Sequence, residues 1–146
     1  MPFALKRYLT FGLTVFLIGP FNPVSAGWVF ISNDNVGNAY YYEDTKTVRD
    51  NTNNEVSTWQ MISYAEPLTA PNGAPVQSVI QDISYFCRAG YESYKQFYIG
   101  YYSGPQGSGV SVEQLDTSGS AWERVIPDTM SYLLYAFFCK APATQK

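Results

Sequence analysis

Short runs of hydrophobic and aromatic residues alternate with turns rich in asparagine, glycine and proline along most of the chain from residue 27 onward. Such runs are typical of β-strands, because β-branched and aromatic residues favour the extended conformation. They cover Trp28–Ile31, Ala39–Tyr42, Glu55–Ala65, Gln77–Cys87, Tyr91–Tyr102 and Val110–Gln114. The two long runs that flank Ala89 and Gly90 are expected to pair as antiparallel neighbours.

The hydrophobic spacing changes to a helical one near the C-terminus. Large apolar side chains there recur three and four residues apart, at Met130, Leu133, Leu134, Phe137 and Phe138. This spacing predicts an amphipathic helix with one buried stripe, with Pro127 in its first turn and Asp128 adding negative charge near its N-terminus. The pattern as a whole predicts an α+β fold, in which a single antiparallel β-sheet of about five to six strands carries a C-terminal α-helix packed on it.

Three polar segments predict turns rather than ligand sites. Asn33–Asn38 resembles a calcium loop only in composition, because Val36 stands where an oxygen ligand is needed, so a hairpin turn is expected. Prolines from Pro67 to Pro75 predict a loop without regular structure. Ser103–Gly109 lacks the lysine and hydroxyl residue that end a phosphate-binding loop, and it predicts a mobile hairpin connection.

The first 26 residues have the organisation of a cleavable export signal. Lys6 and Arg7 precede the apolar stretch Tyr8–Ile18, and two prolines then interrupt it before the small residues that end at Ala26. A membrane-spanning helix needs roughly 20 uninterrupted apolar residues, which this segment lacks. We expect residues 1–26 to be a signal peptide cleaved before Gly27, followed by one domain over residues 27–141 and a flexible tail over 142–146.

Export changes the interpretation of charge and cysteine content. The full chain has nine basic and twelve acidic residues, and removal of Lys6 and Arg7 leaves seven against twelve. This net negative charge disfavours nucleic acid or anionic lipid as a partner.

Cys87 and Cys139 are the two cysteines of the sequence. In an exported protein they predict one structural disulfide, which closes a loop of about 50 residues.

The sequence has no histidine, which excludes Ser-His-Asp and Cys-His catalysis. Two cysteines alone cannot hold a structural zinc ion. Glu43 and Asp44 are adjacent, so on a strand they would point to opposite faces, and a turn with solvated charges is the expected structure. We predict no catalytic residue, no metal site and no cofactor, although a hydrolase that uses carboxylates stays a weaker alternative.

Tyrosines recur at every fourth position in the strand predicted over Tyr91–Tyr102. Strict alternation puts Tyr94, Tyr98 and Tyr102 on one face of the strand and gives the opposite face Phe97, Ile99 and Tyr101. Most of these side chains are expected to serve packing. An exposed tyrosine face is the functional alternative, because tyrosine combines apolar area with a hydrogen-bonding tip. The candidate binding surface joins that face to the following loop and consists of Tyr94, Tyr98, Tyr102, Gly104 and Gly107.

The order and spacing of several short motifs resemble the surface-adhesin protein E family of Gram-negative bacteria. The motifs are Gly27-Trp28-Val29, Tyr40-Tyr41-Tyr42-Glu43-Asp44, Trp59, Cys87, Tyr101-Tyr102-Ser103-Gly104-Pro105, Trp122 with Ile126-Pro127, and Leu134-Tyr135 before Cys139. They span nearly the whole chain after residue 26. The resemblance implies an antiparallel sheet crossed by a C-terminal helix, a tendency to dimerise, no enzymatic activity, and binding of host extracellular-matrix or plasma proteins.

The chain departs from that family at one informative position. The adhesin that gives the family its name resembles a lipoprotein, whereas Gly27 stands here where the lipidated cysteine would be. Two functions therefore stay open. The protein is either a surface adhesin that contacts a host protein, or a periplasmic module that binds a glycan, a peptide or another envelope protein.

Overall fold

The computed structural model describes residues 27–140. The predicted signal peptide and the predicted tail over 142–146 lie outside the described residues.

The regular structure of the described residues consists of one antiparallel sheet, one α-helix and two three-residue 3₁₀ segments, Asp44–Lys46 and Pro105–Gly107. The strands are β1 (Trp28–Asn33), β2 (Ala39–Glu43), β3 (Val48–Asp50), β4 (Glu55–Thr69), β5 (Pro75–Phe86), β6 (Ser93–Tyr102), β7 (Ser111–Asp116) and β8 (Glu123–Arg124). The helix α1 (Met130–Lys140) follows the last strand. The predicted α+β class is confirmed.

The sheet has eight strands, whereas the sequence predicted five to six. Six of them lie side by side across the sheet, and the two short strands β3 and β8 lie off this row. The main order is β1-β2-β4-β5-β6-β7. The short β3 pairs with the start of β4, beyond the part paired with β2, and the two-residue β8 pairs with the start of β6. Neither short strand is long enough to show an alternating hydrophobic pattern, which is why the sequence did not predict them.

The long strands β4 and β5 form the centre of the sheet. The predicted pairing of β5 with β6 is confirmed as antiparallel. The loop predicted from Pro67 is shorter than expected, because β4 continues to Thr69 and β5 already begins at Pro75. Regular pairing is interrupted between Ser63 and Leu68. Pro67 lies within that irregular segment, where a missing N–H breaks no bond of the regular ladder.

The predicted hairpin turn between β1 and β2 is confirmed. The backbone N–H of Asp34 donates to the carbonyl of Asn38 over 3.0 Å, and Gly37 has a φ of 91°. The Asp34 carboxylate accepts hydrogen bonds from the backbone N–H groups of Val36 and Asn38. This carboxylate therefore serves the turn itself.

The helix begins at Met130, after the Pro127 that the sequence predicted in its first turn. Thr129 stands at its N-terminus, where its hydroxyl oxygen accepts a hydrogen bond from the Tyr132 N–H over 3.4 Å. Asp128 has a φ of 61°, a left-handed conformation that is incompatible with a helical turn. Pro127 and Asp128 therefore lead into the helix and do not form its first turn.

One side of α1 packs against one side of the sheet, which we call the helix face. The helix buries Leu134, Tyr135 and Phe138, and the sheet contributes Val56 and Tyr85 to the same cluster. The Phe138 ring stacks on Tyr85 with a centroid distance of 5.3 Å. Such aromatic pairs add about 0.5–1.5 kcal/mol to the free energy gained from buried area.

The predicted helical stripe is only partly correct. Leu133 and Phe137 are 44% and 37% exposed, and Tyr135 takes a buried place that the pattern did not assign. The spacing identifies the apolar positions, but the angle at which the helix meets the sheet decides which of them are covered.

The predicted disulfide between Cys87 and Cys139 is confirmed and spans 52 positions of sequence. Cys87 directly follows the end of β5, and Cys139 is the penultimate residue of α1. The bond therefore ties the last turn of the helix to the end of a central strand. On the chain-entropy model a loop of this size corresponds to roughly 4 kcal/mol of stabilisation.

The solvated turn predicted for Glu43 and Asp44 is only half correct. Asp44 is exposed and begins a short 3₁₀ turn, whereas Glu43 ends β2 and is buried, at 8% exposure. Its carboxylate accepts a hydrogen bond from the Thr45 hydroxyl over 2.8 Å. A β-carbon added at Gly27 would overlap the Glu43 carboxylate. Position 27 therefore has no room for a side chain in this conformation.

We predict that Leu134→Asp lowers the free energy of unfolding by at least about 3 kcal/mol, because it places a charge in the buried cluster and leaves a gap there. The matched control is Leu133→Asp on the exposed side of the same helical turn, which should cost less than about 1 kcal/mol. Urea unfolding followed by circular dichroism measures both. Equal losses in the two variants would contradict the observed docking of the helix.

Candidate binding surfaces

The tyrosines predicted to share one face of β6 lie on opposite sides of the sheet. Asp82 pairs with Tyr98 but Ile83 pairs with Gln96, so one extra residue of β6 interrupts the alternation. Tyr94 therefore lies on the helix face, beside the cluster around Tyr85. The prediction of a continuous tyrosine face is wrong, because a β-bulge moves the rest of the strand out of phase.

Tyr94 has its own structural partner on the helix side. Its hydroxyl donates a hydrogen bond to Glu123 Oε2 over 2.6 Å. Burial, and after it the bond to this carboxylate, raises the pKa of Tyr94 to about 12. The phenol is therefore protonated at neutral pH and is held as a hydrogen-bond donor.

Tyr98 and Tyr102 lie on the other side of the sheet, which we call the open face. The Tyr98 ring packs against Trp59 with a centroid distance of 5.6 Å, and the Lys46 ammonium lies 5.4 Å from the centre of the Trp59 ring. Burial, followed by the neighbouring Tyr102, raises the pKa of Tyr98. Both tyrosines are partly buried, so they combine packing with an accessible edge.

The loop that carries Gly104 and Gly107 lies across the open face. The hydroxyl of fully buried Ser78 donates to the Gly104 carbonyl over 2.6 Å and accepts from the Gly107 N–H over 2.8 Å. Gln106 adds bonds to the Ser63 and Tyr41 hydroxyls, each over 3.2 Å. The predicted connection between β6 and β7 is confirmed, but it is fastened to β2, β4 and β5 rather than projecting as a mobile loop.

A second feature of the open face, the aromatic cleft, was not predicted from the sequence. It has a volume of about 560 Å³ and is lined by Glu55, Phe86, Gly90, Tyr91, Ser93, Trp122 and Arg124. Pairing across four strands aligns Glu55, Phe86, Ser93 and Arg124 in one row. Directly paired residues project from the same side of a sheet, so this row forms the floor of the cleft.

Aromatic side chains form the walls of the aromatic cleft. The rings of Phe86 and Trp122 have a centroid distance of 6.0 Å, and Trp122 is 40% exposed. Tyr91, at 62% exposure, has the Arg88 guanidinium 5.1 Å from its ring centre. Exposed tryptophan and tyrosine next to arginine are the residue types that dominate binding energy at protein interfaces.

Neither a metal site nor a membrane-spanning helix has a counterpart in the described residues. Within residues 27–140, no group of three or more histidine, cysteine, aspartate or glutamate side chains could hold a metal ion. No helix in that range is long and apolar enough to cross a membrane.

The geometry defines a small disulfide-linked domain, in which one antiparallel sheet is covered by a C-terminal helix on one side and carries an aromatic cleft on the other. The chain belongs to the surface-adhesin protein E family, whose model matches residues 28–140. The resemblance in the sequence motifs is thereby confirmed.

Solved structures of Haemophilus influenzae protein E share the fold. The selenomethionine form has 20% sequence identity and a TM-score of 0.54, and the match covers 80% of this chain and 88% of that one. Crystal form II has 19% identity and a TM-score of 0.55, with 84% and 94% covered. A search of curated proteins finds no match.

We predict that Gly107→Ala lowers the free energy of unfolding more than Gly73→Ala does. Both positions have a left-handed φ, 72° and 88°, so each alanine costs about 1–2 kcal/mol of backbone strain. At Gly107 the new β-carbon would also lie 2.9 Å from Ile80 Cδ1, whereas at Gly73 it would meet nothing within 4 Å. Because Cδ1 is the end of a flexible and partly exposed side chain, the packing conflict should add only about 0.5–1.5 kcal/mol, the cost of moving Ile80 off its preferred rotamer.

Chemical denaturation of the two glycine variants measures this difference. Equal destabilisation by the two alanines would show that the loop does not rest on the sheet.

Proposed function

We propose that this protein is an exported, non-enzymatic adhesin that binds a host extracellular-matrix or plasma protein through the aromatic cleft. Membership of the surface-adhesin protein E family supports the adhesin role. We choose the aromatic cleft as the binding surface because of one observation. Its accessible aromatic cluster consists of Phe86, Tyr91 and Trp122 and lies on the paired strands of the sheet.

The chemistry of the aromatic cleft suits a segment of another protein. Its aromatic walls offer apolar area with little conformational entropy to lose on binding. Glu55 and Arg124 stand at the two ends of the row that forms its floor. Opposite charges on either side of an apolar centre select the orientation of a peptide that carries both charge signs. Tyr98 and Tyr102 lie on the same open face and would extend the contact along the sheet.

A non-enzymatic role agrees with the residues available in the aromatic cleft. The sequence contains no histidine, and Glu55 is the one carboxylate among the lining residues. Mechanisms that rely on paired carboxylates need a second carboxyl group in the same site, roughly 3–9.5 Å from the first. Binding is the function that these side chains support.

Cell-surface exposure is the first requirement of this proposal and is tested by antibody labelling of intact and permeabilised source cells. Labelling of intact cells is the expected result. Labelling only after permeabilisation would support the second candidate, a periplasmic envelope-interaction module. That candidate is favoured by glycine at position 27, where a lipid-anchored relative would carry cysteine.

We predict that Trp122→Ala weakens binding to a host protein at least tenfold, because it removes the largest wall of the aromatic cleft. The protein comprising residues 27–146 is first screened by surface plasmon resonance against immobilised matrix and plasma proteins, and the variant is then compared on whichever protein binds. Phe30→Ala is the matched control, since Phe30 is an exposed aromatic on β1, at 52% exposure, outside the cleft.

Both variants are checked for wild-type thermal unfolding before binding is compared. Wild-type affinity in Trp122→Ala would remove the aromatic cleft from the proposal. Equal loss in both variants would indicate a broader contact that does not centre on the cleft.

A further inference from the structure

A second pocket, on the helix face, has a different chemistry from the aromatic cleft. It has a volume of about 290 Å³ and opens between the first half of α1 and strands β2, β4, β5 and β6. The lining side chains are mainly uncharged and polar or aromatic. They are Tyr40, Gln60, Ile62, Gln81, Ile83, Tyr85, Tyr94, Gln96, Glu123, Met130, Ser131 and Leu134. We call it the glutamine pocket.

Three glutamines from adjacent strands form one chain of hydrogen bonds along the glutamine pocket. Gln96 Nε2 donates to Gln81 Oε1 over 2.8 Å, and Gln81 Nε2 donates to Gln60 Oε1 over 3.2 Å. Gln60 Nε2 then donates to the Tyr85 hydroxyl over 2.7 Å. Each amide nitrogen uses one of its two N–H donors in this chain, so each retains a second donor.

The series of hydrogen bonds ends on the buried Tyr85 phenol, whose own proton is not used in it. Tyr85 and Gln60 are 1% and 2% exposed, and both line the glutamine pocket. Because the Tyr85 oxygen accepts from Gln60, its own O–H is left to donate elsewhere, and no hydrogen bond found within residues 27–140 is donated by it. Burial raises the pKa of Tyr85, so this proton is retained at neutral pH. A buried donor of this kind favours a ligand that brings an oxygen acceptor.

The rim of the pocket also carries hydrogen-bonding groups. The Tyr94 hydroxyl holds Glu123 Oε2, which fixes the carboxylate in place as an acceptor. Ser131 adds a hydroxyl at the start of α1. Aliphatic and aromatic carbons fill the remaining wall, as at Ile83 and Leu134. Amide donors, a fixed carboxylate and an apolar wall occur together within one small volume.

We propose that the glutamine pocket binds a single uncharged pyranose residue, at the end of a glycan or as a free sugar. A pyranose offers hydroxyl groups that both donate and accept, which matches the spare amide N–H donors, the Tyr85 proton and the Glu123 acceptor. Its C–H face suits the apolar wall. The pocket has no basic side chain among its lining residues, and Glu123 repels anions, so an acidic sugar is disfavoured.

Ligand-detected NMR tests this inference on the disulfide-bonded protein comprising residues 27–146. The probes are the methyl pyranosides of glucose, galactose, mannose and N-acetylglucosamine, each added separately. We expect saturation transfer to at least one of them, with a Kd on the order of 1 mM, as is ordinary for so small a ligand. Gln81→Leu should weaken that binding at least tenfold, because it breaks the hydrogen-bond chain at its centre.

Gln114→Leu is the matched control, since Gln114 is exposed on β7 and does not line the pocket. If Gln81→Leu does not fold, it is replaced by Gln96→Leu, since Gln96 lies at the partly exposed end of the hydrogen-bond chain. The inference is overturned if no pyranoside shows transfer, or if folded Gln81→Leu and Gln114→Leu bind equally. Binding of N-acetylglycine N-methylamide in preference to every sugar would also overturn it, in favour of a peptide ligand.

The inference does not rest on the proposed adhesin function. The glutamine pocket and the aromatic cleft lie on opposite faces of the sheet, so Gln81→Leu and Trp122→Ala report on separate sites. Loss of sugar binding with host-protein binding retained, or the converse, distinguishes the two proposals.

Discussion

The docking of α1 on one face of the sheet is the contact on which the rest of the structure depends. Phe138 stacks on Tyr85, and the neighbouring Cys139 is joined to Cys87 at the end of the same strand. The stacked pair and the covalent bond together hold the helix end in a single place. This docking makes one face of the sheet the core and leaves the other face available for a different purpose.

The open face is organised by a loop instead of a helix. Fully buried Ser78 uses one hydroxyl to bind both Gly104 and Gly107. Gln106 adds bonds to hydroxyls on β2 and β4, so a few polar contacts hold the loop across these strands. The loop covers the middle of this face and leaves the end around Phe86 uncovered. A rigid floor of paired strands beside an uncovered aromatic cluster suits a protein whose proposed task is to hold a partner without altering it chemically.

Much of the fold could be predicted from the sequence because its signals are local. The Asn33–Asn38 turn, the pairing of β5 with β6 and the C-terminal helix all follow from residue types that favour one backbone conformation. The disulfide followed from having two cysteines in a chain expected to be exported. Leu133 shows the limit of prediction from local spacing. The helical spacing predicts that Leu133 is buried, but in the folded protein the helix presents it to solvent.

By itself, the sequence determined the family, the class of fold, the disulfide and the exclusion of histidine chemistry, since each depends on residue identity or on short-range spacing. Only the tertiary structure decided which side chains come together at the candidate binding surfaces and on which face of the sheet they lie. The bulge opposite Asp82 and Ile83 sends Tyr94 to the helix face and Tyr98 to the open face, which no alternation rule predicts. Strand register likewise brings Glu55 and Arg124 into one row from distant parts of the chain. Register is set by pairing between strands, so it is a property of the folded sheet and not of any local segment.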